Sequence, residues 1–125
     1  MNKFIRFFIF IGLFLSVVLG VLVYNGYFVS FAVGSSMAPT IPADTPTVLV
    51  HSEVESVEQV DEGDIVLYED PEFNANITHR ITSIEYAERS VTIDGDNTSQ
   101  SIKQELSFKQ FNKSVRGKVK YIFII

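Results

Sequence analysis

The chain has 125 residues, enough for one domain, with 46% hydrophobic residues and a formal net charge of −5. It contains no cysteine, which excludes a disulfide framework and thiol catalysis. All 15 acidic residues lie from Asp44 onward, against eight Lys and Arg over the same stretch. That balance argues against nucleic acid or an anionic lipid surface as the main partner, because both require a basic face.

The first element in chain order is apolar. Phe7 to Tyr24, FFIFIGLFLSVVLGVLVY, is 18 residues without a charge, close to the ~20 a helix needs to cross a hydrocarbon layer. It exceeds the ~7–15 residues of a signal-peptide core, so an uncleaved anchor is expected although Ser30-Phe31-Ala32 offers a small-x-small exit. Lys3 and Arg6 precede the run and no positive charge follows until Arg80, which places the N-terminus in the cytoplasm and the remainder on the extracytoplasmic or lumenal side. The expected division is a transmembrane anchor over 1–27 and an extracytoplasmic domain over 28–125.

Beyond the anchor the pattern breaks into short runs rich in β-branched and aromatic residues. Strands are expected at Thr47 to Val50, Ile65 to Tyr68, Ile77 to Tyr86, Val91 to Ile93 and Val115 to the C-terminus, with a helix over Gln104 to Asn112. The fold class is mostly β, a largely antiparallel domain behind one helix. In ITHRITSIEY the alternation puts Ile77, His79, Ile81 and Ser83 on one face and Thr78, Arg80, Thr82 and Ile84 on the other.

Chemistry then has few places to reside. Ser35 and Ser36 lie in "AVGSSMAPTI", with Ser36 twelve residues past Tyr24. A serine attacks only when a base takes its proton, and the bases available are His51 and His79. His51, at a strand end without a companion motif, reads as structural. A carboxylate would be needed to hold the imidazole, and "DGDN" supplies Asp94 and Asp96. "DGDNTSQSIKQE" also puts Asp94, Asp96, Thr98 and Glu105 at positions 1, 3, 5 and 12 of a calcium loop, but Ser99 stands where that loop needs glycine.

Four segments in order resemble the type I signal peptidase family: "GSSMAPTI" the nucleophile box, "EGDIVLY" the strand after it, "THRI" the general-base box and "DGDN" the Gly-Asp-Asn box. Bacterial members use a lysine base. His79-Arg80 is similar to the archaeal and endoplasmic-reticulum type, which pairs serine with histidine. The resemblance implies Ser36 as nucleophile, His79 as general base and Asp96 as the acid orienting it, with Asp94 and Glu105 in reserve. It implies an oxyanion site using the backbone N–H of Ser36, and shallow pockets for small residues in which Met37, Ile77 and Ile81 are candidates. Neither cofactor nor metal is implied. The implied partners are preprotein signal peptides, membrane lipid, and the translocon or other signal-peptidase subunits.

Three departures from the family pattern stand out, one being Asp94 where a lysine usually precedes Gly-Asp-Asn. Gly34 occupies the position where many relatives carry a second hydroxyl, and Lys103 lies where a further aspartate is common. These feed a competing expectation, an inactive anchored relative or accessory subunit that binds extended peptide without cutting it.

Overall fold

The computed structural model describes residues 2–32, 34–72, 74–97 and 103–125. Its first element, α1, spans Lys3–Tyr24. At 1.5 Å per residue these 22 residues cover about 33 Å, the thickness of a hydrocarbon core. Nothing packs over the helix, and its mean hydropathy reaches 2.7. The polar groups within it are satisfied locally: Ser16 Oγ donates to the Gly12 carbonyl at 2.8 Å, as lipid would demand. The Asn2 side chain accepts from Phe4 N–H at one end, and the Asn25 amide donates to the Val21 carbonyl at the other.

Seven strands follow in one sheet: β1 Tyr27–Ala32, β2 Thr47–Glu53, β3 Ile65–Asp70, β4 Ala75–Glu85, β5 Ser90–Asp94, β6 Gln104–Ser107 and β7 Val115–Ile124. The order across the sheet is β1-β2-β7-β3-β4-β5-β6, and every pairing is antiparallel. The strand β1 is a gain over the sequence reading; "YFVSFA" follows the membrane run so closely that periodicity does not separate the two.

The expected helix over Gln104 to Asn112 is half wrong. Gln104 to Ser107 form β6, and a seven-residue helix α2, Phe108–Ser114, begins only at the Ser107 cap. The Ser107 hydroxyl accepts from Gln110 N–H while the Gln110 side chain accepts from Ser107 N–H, a reciprocal cap that starts the helix there.

Alternation in β4 also fails midway. A register shift against β5 between Ile81 and Ser83 brings Ile84, expected on the outer face, into the core beside Ile81. One inserted residue re-aims every side chain after it.

The larger core joins Val66, Tyr68, Ile81, Ile93 and Val91 of the sheet to Phe111 of α2. A smaller one packs Met37 and Ile41, from the segment after β1, on Leu49 and Ile65. Between β1 and β7 the Phe28 ring lies over Gly117, where an added Cβ would come within 2.7 Å of the ring and 2.8 Å of the Ser52 carbonyl. His51 is fully buried against Phe28, rings stacked at 4.7 Å, and its Nε2 is 2.6 Å from Ser30 Oγ. Burial lowers its pKa to about 4, so it is neutral at ordinary pH, in keeping with the structural role read from sequence.

The opposite face of β1, β2 and β7 is apolar and bare. Val29, Val50 and Tyr121 form one cross-strand row, and Phe31, Val48 and Phe123 the next. Phe31 is 75% exposed and Tyr121 58%.

Gly117→Ala is expected to destabilise the domain by about 1–3 kcal/mol, because neither the ring nor the carbonyl can yield without shifting a strand. Chemical unfolding in detergent checks this, with Gly12→Ala, which meets nothing within 4 Å, as the comparison.

Candidate active site

The segment after β1 turns tightly. Gly34 has φ +96°, a conformation natural to glycine; Ala38 N–H bonds to the Ser35 carbonyl at 3.1 Å and Ile41 N–H to the Met37 carbonyl at 3.0 Å. Met37, 4% exposed, plugs this turn into the smaller core. Its neighbour Ser36 is thereby turned toward β4, where Ser36 Oγ lies 2.9 Å from His79 Nε2.

His79 sits in mid-strand on β4, paired with Val66 of β3. Being on the core-facing side with Ile77 and Ile81, it is 7% exposed. Burial pushes its pKa below the usual histidine value, while the negative charges of Asp94, Asp70 and Asp96 oppose that shift. A ring accepting a proton at Nε2 carries its hydrogen on Nδ1, and Nδ1 of His79 is buried without a hydrogen-bond partner among the described residues.

Asp96 does not supply that partner. Its Oδ1 accepts from Arg80 Nε at 2.9 Å, and its Oδ2 accepts from Arg80 Nη2 at 2.8 Å and from Thr40 Oγ1 at 2.6 Å. These contacts, the guanidinium first, hold its carboxyl below the usual range. Arg80 is adjacent to His79 and so points to the other side of β4, and Asp96 goes with it. The carboxylate ties β4 to the serine loop instead of orienting the imidazole. A bidentate guanidinium fork is the strongest pairing open to a carboxylate, and the alternation that separates His79 from Arg80 decides which one Asp96 meets.

The rest of the Gly-Asp-Asn box clamps the same loop. Asn97 N–H donates to the Ser36 carbonyl at 2.8 Å and its side chain to the Ser35 carbonyl at 3.1 Å. Asp96 N–H contacts Met37 Sδ at 3.4 Å. Loop and box thus form one unit, a role for Asn97 and Thr40 that the sequence reading missed.

A cleft of about 220 Å³ opens beside the pair, lined by Gly34, Ser36, Met37, Ile77 and His79 among others. Met37 and Ile77 therefore border it as expected. Ile81 does not: it is fully buried against Ile93 in the core. Asp94 lies half-buried at the end of β5, its carboxylate accepting from Gly95 N–H. Glu105 is exposed on β6 opposite Thr92. Thr98 and Ser99 of the calcium-loop pattern lie outside the described residues.

A hydroxyl held on a buried imidazole, beside a cleft on an antiparallel β domain, is an arrangement of the kind that serine hydrolases use. The chain matches the family model described as "Signal peptidase, peptidase S26" over residues 2–120 and belongs to that family. Its relatives are signal-peptidase-like serine peptidases, and the apolar N-terminal helix fits a single-pass anchor. Neither the curated proteins nor the solved structures give a match.

Asp96→Asn is expected to cost on the order of 1 kcal/mol, since Arg80 and Asp96 are both partly solvated. Thermal unfolding reads the loss, and Thr40→Val, which removes one of the same carboxylate's donors, should cost less.

Proposed function

We propose that the chain is a membrane-anchored serine endopeptidase that removes N-terminal signal peptides from preproteins, with Ser36 as nucleophile and His79 as general base. The observation that carries the reading is the 2.9 Å contact between Ser36 Oγ and His79 Nε2 at the wall of an open cleft.

The strand beside the cleft suits an extended substrate. Residues 75–80 of β4 pair with β3 on one side, while β5 pairs with β4 only from Arg80 onward. Asn76, Ile77 and Thr78 line the cleft. A peptide laid there as an added strand would present alternate side chains to Ile77 and Met37, whose nearness leaves room for small ones. Ser36 Oγ would attack the carbonyl carbon of the residue before the scissile bond as its proton passes to His79 Nε2. The oxyanion would meet backbone N–H donors of the serine turn, which the open approach past Gly34 leaves accessible. His79 would return the proton to the leaving amine, and water would release the acyl group by the same route.

The bare apolar face supports a seat at the bilayer. Val29 and Phe31 begin a few residues after α1 ends at Tyr24, and the aromatic side chains that continue the face are of the kind enriched at membrane interfaces. With that face on lipid, the serine turn that follows β1 lies close to the surface, where a cleavage region emerges. The two positive charges in the first turns of α1, Lys3 and Arg6, support a cytoplasmic N-terminus and an extracytoplasmic domain.

Ser36→Ala is expected to abolish cleavage of a preprotein with a small-x-small site by purified full-length protein, leaving the fold intact. Retained cleavage removes Ser36 from the mechanism, whereas a wild-type protein that cleaves nothing leaves the peptide-binding relative as the reading. Because burial lowers the His79 pKa, the base stays neutral further into acid than an ordinary histidine, so the acid limb of kcat/KM is expected below pH 6.5. A limb above that value contradicts the assignment. The chain has no tryptophan, so Phe31→Trp supplies a unique reporter. Its emission in vesicles should be blue-shifted and quenched by brominated lipid, and a water-like spectrum removes the bilayer seat.

A further inference from the structure

His79 Nε2 lies 2.9 Å from Ser36 Oγ, while its Nδ1 has no hydrogen-bond partner among the described residues. Among those residues no hydrogen-bonded acid fixes the ring. The opposite wall of the imidazole is Tyr68, whose ring meets it edge-on, centroids 6.5 Å apart at 60°. Both side chains lie on the same face of the β3–β4 pair, where Tyr68 opposes Ile77 and His79 opposes Val66.

Tyr68 is itself held. Its hydroxyl bonds to Gln104 Oε1, and Gln104 Nε2 donates to Asp70 Oδ2 at 2.8 Å. Asp70 is fully buried at the end of β3 and also accepts from Glu72 N–H at 2.8 Å. The direction of this chain is dictated by chemistry. An ionised carboxylate only accepts, so Gln104 must turn its NH₂ to Asp70 and its oxygen to Tyr68. Tyr68 must then donate. Burial, with the charges of Asp70 and Asp94, raises the Tyr68 pKa, which keeps the phenol protonated for that purpose.

We propose that Asp70, acting through Gln104 and Tyr68, is the positioning unit for His79, a buried carboxylate two side chains removed that does the work left undone by Asp96. This rests on the peptidase reading of the Ser36–His79 pair. The charged groups acting on the ring are Asp94 and Asp96 from the end of β5 and Asp70 from β3, with Arg80 paired to Asp96 across the strand. Arg80 compensates Asp96 directly, and Asp94 is half in solvent. Asp70 alone combines a shielded charge with a bonded path to the wall of the imidazole, and a shielded charge acts over a longer range. None of the three residues lines the cleft, so their effect is on the base.

Two variants of the full chain in detergent separate the charge from the bonds. Asp70→Asn keeps the shape and an acceptor while removing the charge. The His79 imidazole, followed by NMR titration, is expected to titrate at lower pH than in the wild type, with the acid limb of kcat/KM moving the same way. Tyr68→Phe keeps the ring and removes the donor. It is expected to lower kcat at the plateau by about threefold or more, because small displacements of a base are costly, with KM and the folded fraction unchanged. An unshifted His79 titration in Asp70→Asn overturns the proposal. So does a Tyr68→Phe variant with wild-type kcat, or one whose loss matches its loss of folded protein. The NMR titration needs no turnover: a wild-type protein that cleaves nothing overturns the peptidase reading while the Asp70 result still stands or falls by itself.

Discussion

The Arg80–Asp96 ion pair, with Thr40 on the second carboxylate oxygen, joins the middle of a strand to a loop that would otherwise have little to hold it. The loop from Gly34 to Thr40 has no strand partners of its own. It stays in place because Met37 is sunk in the smaller core and because Asp96 and Asn97 grip its backbone and Thr40. The 2.9 Å contact at Ser36 is a consequence. A hydroxyl meets an imidazole over a separation of 43 residues because a carboxylate and an amide farther along pull the serine's neighbours onto β4.

Energetics suit a base that must change charge. Burying an imidazole in a sheet face favours its neutral form, the form able to take a proton, and makes the protonated form costly. Nearby carboxylates offset that cost. In this chain they are Asp94, Asp70 and Asp96, and Asp96 is paired with the Arg80 guanidinium. The second buried histidine, His51, shows the opposite case. It lies close to a serine at a similar distance but stacks beneath Phe28, where burial lowers its pKa to about 4. Proximity of serine and histidine alone does not distinguish the two pairs; an open cleft and surrounding negative charge do.

The apolar surface shows a similar division of labour. In β1, alternate residues go to different solvents: Phe28 and Ser30 turn inward to His51, while Val29 and Phe31 turn outward. A soluble domain would place polar residues in those outward positions. Here the helix, the bare strand face and the serine turn follow one another along the chain with few residues between them, so the position of one constrains the others.

Local pattern was enough for much of this. A charge-free run of helical length, β-rich segments bounded by turns, and four short boxes in order led to the apolar helix, the sheet and the Ser36–His79 pair, because each depends on residues close in sequence or on a motif with a fixed wording. What it could not reach depends on contacts between distant strands. The bulge after Ile81 that turned Ile84 inward, the conversion of Gln104 to Ser107 from helix to edge strand, and the burial of Ile81 away from the cleft are set by pairing with β5. The partner of Asp96 was open to the same limit: motif order puts an aspartate near the base, but only the pleat of the folded strand sends His79 one way and Arg80 the other, and the carboxylate follows the guanidinium.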